Sequence, residues 1–334
     1  MANVTTILVP GGAGYIGSHA CKALQMSGFL PVTFDNLTTG HRELVRWGPL
    51  EVGDLSDGVA LDHVFEHYRP AAVMHFAALS VIGEAVSRPD ICYRKNTVAT
   101  LNLLEAMVRH AVSHIIFSST CAVYGYPDRV PIGEETDRKP INPYGRSKAT
   151  IEWMLEDFAA AYRMRFVSLR YFNACGADPD GEAGEWHDPE SHLIPRILQA
   201  VSGQLPALDI LGTDYPTPDG TCIRDYIHVT DLAAAHVDAL KYAINGGESA
   251  YFNLGTGSGY SVREIVAATE GVIGQRVPTR ETARRPGDVP ILYADPSRAN
   301  AVLNFAPRHS DLPTIIGTAW AWHKAQMYRL AAVP

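Results

Sequence analysis

The sequence predicts an α/β fold, in which a doubly wound parallel sheet is followed by a smaller α/β region. Three observations support this prediction: the composition of a folded protein, apolar strands that alternate with helical periods, and a glycine-rich turn after the first strand. With 334 residues, 46% of them hydrophobic and 19% charged, the chain can bury a complete core without disulfides or a structural metal.

The first half of the chain alternates between strands and helices. Expected strands lie at 4–9, 30–34, 72–76, 114–117 and 166–171, and expected helices at 15–27, 61–68, 96–110 and 144–163. These strands are apolar throughout, which is typical of a parallel sheet covered by helices on both faces. The predicted first domain is therefore Rossmann-like.

The composition changes after residue 174. The following segment is rich in Gly, Pro and Asp, and the alternation of strands and helices becomes irregular. We therefore expect one domain over 1–174 and a smaller substrate-binding α/β region over 175–334. A helix near 231–245 and a strand near 250–254 are expected to return to the first domain.

Charge and hydropathy exclude several classes of protein. The chain carries 28 Lys and Arg against 36 Asp and Glu, so its net charge of -8 offers no overall basic field to nucleic acid. Its apolar stretches are shorter than the ~18 residues of a membrane span, and its start lacks the pattern of a signal peptide. We expect a cytoplasmic protein with neither a nucleic-acid partner nor a membrane partner.

The cysteines indicate neither disulfides nor zinc. The chain has 5 of them at wide spacings, without a C-x-x-C pair and without a histidine at zinc-finger separation. We therefore expect no disulfide framework and no metal.

A glycine-rich turn follows the first strand. Gly11, Gly14 and Gly17 recur at every third position as a helix begins. Such glycines permit a tight turn, let backbone N–H groups approach a pyrophosphate, and allow helix and strand to pack closely. Taken alone, the motif is also compatible with an ordinary strand-to-helix turn.

Acidic residues near the next strand favour a dinucleotide. Asp35 lies 18 residues after Gly17, close to the ~20 at which a carboxylate accepts hydrogen bonds from an adenosine ribose. A carboxylate at this place repels a 2′-phosphate, so NAD is favoured over NADP. Asp54 and Leu55 are candidates for contacts to the adenine, although a solvent-facing loop explains Asp54 equally well.

Tyr144 and Lys148 form a candidate catalytic pair. They are four residues apart on a predicted helix and therefore share a face. A solvated helix is the alternative interpretation of the pair on its own. Beside a dinucleotide, a lysine ammonium and a nicotinamide could lower the tyrosine pKa by about three units, which requires about 4 kcal/mol. Tyr144 would then remove a hydroxyl proton while a hydride leaves the same carbon.

Three hydroxyl side chains come directly after the apolar residues 114–117 of a predicted buried strand. Ser118, Ser119 and Thr120 occupy its carboxyl end, where ligands bind in open α/β sheets. We expect Thr120 to orient the substrate hydroxyl. The alternative is that these hydroxyls only cap the strand end, and for Ser119 this alternative is favoured.

Together these residues resemble the extended short-chain dehydrogenase/reductase superfamily and, within it, the UDP-glucose 4-epimerase family. The resemblance covers nearly the whole chain and includes Asn96 and the segments 75–78, 81–84, 170–173, 224–228, 253–257 and 284–288. It implies a homodimeric enzyme that keeps NAD bound and interconverts UDP-glucose and UDP-galactose. In such enzymes C4 of the sugar is oxidised, and the 4-keto sugar turns and takes the hydride back on its other face.

The resemblance also implies the remaining cofactor contacts. In addition to the residues above, the expected NAD-binding residues are Tyr15, Ile16, Asn36, Phe76, Ala77, Ala78, Ser80, Asn96, Lys148 and Phe172. Ser80 stands where some members have Lys, so one charged contact to the cofactor is absent.

A substrate site follows from the same resemblance. In addition to Thr120 and Tyr144, the expected substrate-binding residues are Asn173, His192, Leu193, Leu211, Arg224, Arg285, Asp288 and Leu292. The guanidinium groups of Arg224 and Arg285 suit a diphosphate on physical grounds as well. Leu292 replaces a Tyr of members restricted to plain hexoses, which suggests that UDP-N-acetylglucosamine also turns over.

Other functions remain open at this point. Nucleotide-sugar dehydratases and decarboxylases resemble one another in an acidic residue where this chain has Ala122, so simple inversion at C4 is favoured over them. A 4-epimerase of UDP-xylose and UDP-arabinose would leave no obligatory residue in the sequence. The non-enzyme alternative is a nucleotide-sensing binding protein, against which the intact set of Thr120, Tyr144 and Lys148 argues.

Overall fold

The computed structural model describes residues 4–285 and 287–331. Numbered in chain order, its strands are β1 Thr6–Pro10, β2 Leu30–Asp35, β3 Leu50–Val52, β4 Ala72–His75, β5 His114–Thr120, β6 Arg165–Tyr171, β7 Asn173–Cys175, β8 Leu208–Leu211, β9 Ile223–Arg224, β10 Tyr226–His228, β11 Ala250–Leu254, β12 Tyr260–Ser261, β13 Thr279–Thr282 and β14 Ile291–Leu292. The α-helices are α1 Tyr15–Met26, α2 Gly58–Tyr68, α3 Ile82–Ser87, α4 Pro89–Tyr93, α5 Ala99–Arg109, α6 Pro143–Tyr162, α7 Leu193–Val201, α8 Val229–Ile244, α9 Val262–Ile273, α10 Ser297–Leu303 and α11 Leu312–Ala331.

Seven strands form one parallel sheet in the order β3-β2-β1-β4-β5-β6-β11. The chain moves outward in one direction from β1 to β3 and in the other from β4 onward. This reversal leaves a crevice beyond the carboxyl ends of β1 and β4, where ligands bind in such sheets. The predicted doubly wound fold class is confirmed.

Helices cover both faces of the sheet, which explains why its strands are apolar throughout. On β1, Ile7 and Val9 pack into the core on the α1 and α8 side, whereas Leu8 packs into the core on the side of α2, α5 and α6. All three side chains are fully buried. In the described part of the chain no helix is both long enough and apolar enough to cross a bilayer.

The start of α6 is fixed by its sequence. The side-chain oxygen of Asn142 accepts a hydrogen bond from the backbone nitrogen of Gly145 at 2.8 Å, and Pro143 occupies the first helical position, where its missing N–H costs nothing. Tyr144 therefore stands in the first turn of α6, with Lys148 one turn further along.

Residues after β6 build a second core beside the carboxyl edge of the sheet. In this region β7 pairs with β10, β9 lies between β12 and β14, and β8 pairs with β13. Helices α7, α9 and α11 pack together around Ile194, Ile265 and Ile315. The chain also crosses back, because β11 joins the large sheet beside β6 and α8 packs against α1.

Candidate active site

Close backbone approach shapes the turn between β1 and α1. A Cβ on Gly11, whose φ is +83°, would lie 2.4 Å from the backbone nitrogen of Ala77, and one on Gly17 would lie 2.1 Å from the carbonyl oxygen of Gly11. A Cβ on Gly14 would meet the carbonyl oxygen of Gly11 at 3.3 Å, a less severe but still tight contact. Bare backbone at the N-terminus of α1 fits the diphosphate of a dinucleotide.

Asp35 ends β2 beside this turn. Its carboxylate accepts hydrogen bonds from the backbone nitrogen of Ala13 at 3.1 Å and from that of Leu37 at 2.9 Å. Burial raises the pKa of Asp35, and the two backbone donors oppose this rise. The carboxylate is thus held in one orientation next to the glycine turn, where ribose hydroxyls of a dinucleotide would lie.

The predicted adenine-side residues lie together. The side-chain nitrogen of Asn36 donates to the carboxylate of Asp54 at 2.6 Å. Leu55 is buried, and its carbonyl oxygen accepts a hydrogen bond from Asn102 at 3.0 Å. On the other side of the turn Tyr15 is buried and donates to the carbonyl oxygen of Gly176 at 2.6 Å, so it joins the two regions of the molecule.

The loop after β4 is held against the glycine turn from two sides. The carbonyl oxygen of Pro10 accepts hydrogen bonds from the backbone nitrogens of Phe76 at 2.8 Å and Ala77 at 2.9 Å. Asn96 is fully buried, accepts from the Leu79 backbone nitrogen at 2.7 Å and donates to Ser147 Oγ at 2.9 Å. Asn96 therefore ties the loop to α6. Ala78 is partly buried and Ser80 is exposed in this loop.

Lys148 is almost completely enclosed on α6. Its ammonium donates to the carbonyl oxygen of Ser118 at 2.7 Å and lies 4.7 Å from the centre of the Phe117 ring. Burial lowers the pKa of Lys148 to about 7, against the opposing charge of Glu152. At neutral pH the side chain therefore exchanges readily between its charged and neutral forms, which is a property of functional lysines.

Tyr144 and Thr120 face each other across the end of β5. Burial raises the pKa of Tyr144, and a hydrogen bond from the Thr120 hydroxyl lowers it. Thr120 is 7% exposed, and its oxygen accepts from the backbone nitrogen of Ala122 at 3.1 Å. The Thr120 hydroxyl thus both caps the turn after β5, as the alternative interpretation supposed, and contacts the candidate base.

Glu152 lies beneath this pair and escaped the sequence analysis. Its buried carboxylate accepts hydrogen bonds from Ser119 at 2.7 Å, from Ser168 at 2.9 Å and from Arg170 at 2.9 and 2.7 Å. These hydrogen bonds join α6 to β5 and β6. The hydroxyl of Ser119 is part of this structural network. Glu152 follows Lys148 by one helical turn, so the spacing on α6 was the signal that could have revealed it.

The second region presents charged groups at the candidate nucleotide end. Asp288 accepts hydrogen bonds from Arg224 at 3.1 Å and from Arg285 at 2.9 Å. Arg224 is largely buried, whereas the side chain of Arg285 is half-exposed. One carboxylate thus orients two guanidinium groups, both of which can turn donors towards a diphosphate.

Seven further predicted residues complete the set, six of them around this region and one on α1. Phe172 and Leu292 are buried in one apolar cluster with Val123, at the end of β5. Asn173 begins β7, and Leu193 begins α7 directly after His192, whose side chain is half-exposed. The other two are Leu211, which is 40% exposed on β8, and Ile16, which is partly buried in α1.

Comparison with known proteins identifies the family of this chain. The model of the NAD dependent epimerase/dehydratase family matches residues 7–255. A UDP-glucose 4-epimerase of Rhizobium leguminosarum bv. trifolii is 49% identical, over 95% of this chain and 97% of its own length. This chain belongs to the NAD dependent epimerase/dehydratase family. NAD is accordingly its cofactor, in agreement with the glycine turn at the start of α1 and the carboxylate of Asp35.

Solved structures of the family have the same fold. The UDP-glucose 4-epimerase of Brucella ovis, in complex with NAD, is 53% identical with a TM-score of 0.93 over 95% of this chain and 98% of its own. The UDP-glucose 4-epimerase of Bifidobacterium longum, in complex with NAD+ and UDP, is 36% identical with a TM-score of 0.92 over 97% of this chain and 99% of its own. The chain thus covers nearly all of both solved structures and shares their architecture.

Proposed function

We propose that this enzyme interconverts UDP-glucose and UDP-galactose by oxidising C4 of the sugar and reducing it again from the other face. One observation carries the proposal: Thr120 contacts Tyr144, and the buried Lys148 donates to the carbonyl oxygen of Ser118, so all three groups lie at the carboxyl end of β5. The names of the relatives described above support the same substrate pair.

Proton transfer at C4 is assigned to Tyr144. When bound, NAD accepts a hydride from the sugar and later returns it. Tyr144 holds the proton of the C4 hydroxyl, which requires its pKa to fall from about 10 to about 7, at a cost of about 4 kcal/mol. Burial acts in the opposite direction, so the decrease must come from the Thr120 hydrogen bond and from positive charge. We assign this charge to Lys148, which follows Tyr144 by one turn of α6 and whose ammonium form a phenolate would favour.

Inversion requires the two ends of the substrate to be held differently. The sugar must present both faces of C4, so the enzyme has to bind the uridine diphosphate firmly and the hexose loosely. Arg224 and Arg285, oriented by Asp288, are the groups that we assign to the diphosphate. The buried apolar side chains of Phe172 and Leu292 offer no hydrogen bonds to a sugar.

Product analysis tests the proposed reaction. Purified protein, without added cofactor, is incubated with UDP-galactose, with UDP-N-acetylgalactosamine and with UDP-xylose, and products are identified by NMR. We expect UDP-glucose to form fastest. Conversion of UDP-xylose or of the N-acetyl sugar alone would overturn the substrate assignment, and no conversion of any of them, even with added NAD, would overturn the proposal itself.

We also infer that two copies of the chain associate. Val98, Leu101 and Trp153 leave 47%, 36% and 46% of their surface exposed, on or next to the neighbouring helices α5 and α6. Exposed apolar side chains on packed helices are typical of contacts between protein chains. Light scattering should give the mass of two chains, and Leu101→Glu should shift it to one. A single-chain mass for the unaltered protein would contradict the dimer.

A cytoplasmic location is proposed on the chemistry of the cysteines. Cys21, Cys92, Cys121, Cys175 and Cys222 are all free thiols. Free thiols persist where glutathione and thioredoxin keep proteins reduced. Cell fractionation should recover the protein with cytoplasmic markers, and recovery from the extracytoplasmic fraction would contradict this assignment.

A further inference from the structure

Four metal-ligating side chains converge in the segment between β7 and α7. Glu185, His187, Glu190 and His192 each offer one donor atom, and these atoms all lie within 4.8 Å of one another. The expectation of no metal rested on the spacing of the cysteines, which can indicate only metal sites with thiolate ligands. This set consists of imidazole and carboxylate groups, which are ligands of Zn²⁺ and of neighbouring transition metals.

The donor atoms are spaced as a four-coordinate metal requires. Zn²⁺ binds nitrogen and oxygen at about 2.0–2.2 Å, so tetrahedral ligands lie about 3.3–3.6 Å apart. His187 Nδ1 lies 3.3 Å from Glu185 Oε1 and 3.5 Å from Glu190 Oε2. His192 Nδ1 lies 3.6 Å from Glu190 Oε1 and 2.5 Å from Glu185 Oε1. Because Glu190 would bind through one oxygen, its distance to only one of the two histidines belongs to this set; the distance from His187 to Glu185 also matches, and that from His192 to Glu185 has to widen.

The two carboxylates of this cluster are buried, whereas the side chains of His187 and His192 are 29% and 52% exposed. The side chains of Glu185 and Glu190 are 6% and 5% exposed. His187 Nδ1 is buried without a hydrogen-bond partner and points at both carboxylates. Charged groups at this depth are paired or coordinate a metal, and an unpartnered ring nitrogen among carboxylates is a ligand position.

The neighbouring rings hold His187 in this orientation. Its ring packs edge-on against Tyr15 at 6.2 Å and against His192 at 5.2 Å. Tyr15 in turn donates to the carbonyl oxygen of Gly176. The donor set is therefore supported by the same contact that joins the glycine turn to the second region.

We propose that Glu185, His187, Glu190 and His192 form a structural binding site for a divalent transition metal such as Zn²⁺. All four positions are filled by protein, as in closed structural sites, so the ion takes no part in the reaction. It fixes the segment 185–192 and thereby the start of α7, where His192 and Leu193 stand at the candidate substrate site.

Protons are the alternative occupants of these ligands. Burial lowers the pKa of His187, but the facing carboxylates of Glu185 and Glu190 raise it to about 10. Two imidazolium–carboxylate pairs would then hold the cluster together without an ion. A metal and protons compete for the same atoms, so the experiment has to separate these two occupants.

A second acidic cluster in the same segment provides the control. Asp178, Asp180 and Glu182 also lie close enough together to ligate an ion. The ammonium of Lys22 occupies their centre, at 2.8, 2.7 and 2.8 Å from the three carboxylates. An ammonium already occupies the position that an ion would take, so this second cluster is not expected to bind metal.

The test measures metal binding rather than turnover. The holoenzyme is treated with chelator, and Zn²⁺ is titrated by calorimetry at neutral pH. We expect one ion per chain with a micromolar or lower dissociation constant, and His187→Gln and Glu185→Gln should weaken it at least tenfold. Asp180→Asn should leave the affinity unchanged. Binding weaker than millimolar, or equal in His187→Gln and the unaltered protein, would overturn the site.

The absorbance of bound Co²⁺ provides a second readout, which does not depend on the folding stability of the variants. Co²⁺ in a four-coordinate site of nitrogen and oxygen ligands absorbs visible light, so we expect a band that His187→Gln removes and Asp180→Asn keeps. An octahedral, nearly colourless Co²⁺ complex in the unaltered protein would contradict the four-ligand arrangement. Tyr144→Phe should keep the band while losing turnover, so failure of the metal site and failure of the proposed reaction are distinguishable.

Discussion

At the scale of single residues, the protonation of the candidate catalytic pair depends on the environment of the two side chains. Burial alone makes Tyr144 a weaker acid and Lys148 a weaker base, because it disfavours the charged form of each. A phenolate beside an ammonium relieves both penalties, so the two groups favour each other's charged forms. The spacing of the two residues in the sequence predicts the pair. Their burial was not predictable in this way, because it comes from packing against β5, α3 and α4.

Replacement of the tyrosine hydroxyl tests this pair. Tyr144→Phe should lower kcat by ~10²-fold or more, because it removes the proton acceptor. The measurement is a coupled assay of UDP-glucose formation from UDP-galactose. Tyr162→Phe, at the exposed end of the same helix, should leave kcat unchanged. Equal rates for Tyr144→Phe and the unaltered protein would remove Tyr144 from the mechanism.

At the scale of elements, local sequence patterns predicted the helices and strands of the first domain well. Contacts between residues far apart in the sequence were not predicted. The glycine turn, the fully apolar strands and the four-residue spacing on α6 are local, and the sheet order confirms the fold class that they indicate. The partners of Glu152 on β5 and β6 are 16 to 33 residues away, and Asp288 is 64 residues from Arg224. Only the folded chain brings such groups together. The short strand β3 was not predicted, because three residues are too few to show the alternation of apolar and polar side chains that marks a strand.

Close packing between β1 and α1 leads to a prediction about cofactor retention. Gly17→Ala would place a Cβ 2.1 Å from the Gly11 carbonyl oxygen, so the turn must shift. We expect the purified variant to hold less NAD than the unaltered protein, measured by absorbance after acid release. Gly271→Ala is the control, because a Cβ there meets nothing within 4 Å on α9. Full NAD content in Gly17→Ala would contradict the close-packing argument.

At the scale of the whole molecule, two cores are joined along the carboxyl edge of the sheet, and the candidate site lies at that junction. Thr120 and Tyr144 belong to the first core, whereas Arg224 and Asp288 belong to elements of the second region. The crossing of β11 and α8 back to the sheet fixes the two regions against each other. The sequence predicted this return, but not the contact of Tyr15 with Gly176 at the junction.

Buried histidines make the whole molecule sensitive to acid. Burial lowers the pKa of His19, His228 and His236 to about 4 and that of His75 to about 3. The unfolded chain takes up these protons near pH 6.5, so folding stability falls as pH decreases below that value. Each histidine contributes about 1.4 kcal/mol per pH unit.

Urea unfolding between pH 6.5 and 4.5 measures this loss. His236→Leu should reduce the pH dependence by about one proton, whereas His63→Gln, at an exposed position of α2, should not change it. A free energy of unfolding that stays constant over this range would contradict the buried, neutral state of the four histidines.

In the proposed reaction the sugar loses its hydrogen at C4 and regains the same hydrogen on the other face. UDP-galactose carrying deuterium at C4 tests it most directly, because Tyr144 exchanges only the hydroxyl proton with water. We expect that UDP-glucose formed by the enzyme in ordinary water keeps the deuterium at C4, as read by NMR and mass spectrometry. Replacement of that deuterium by hydrogen from water would contradict it.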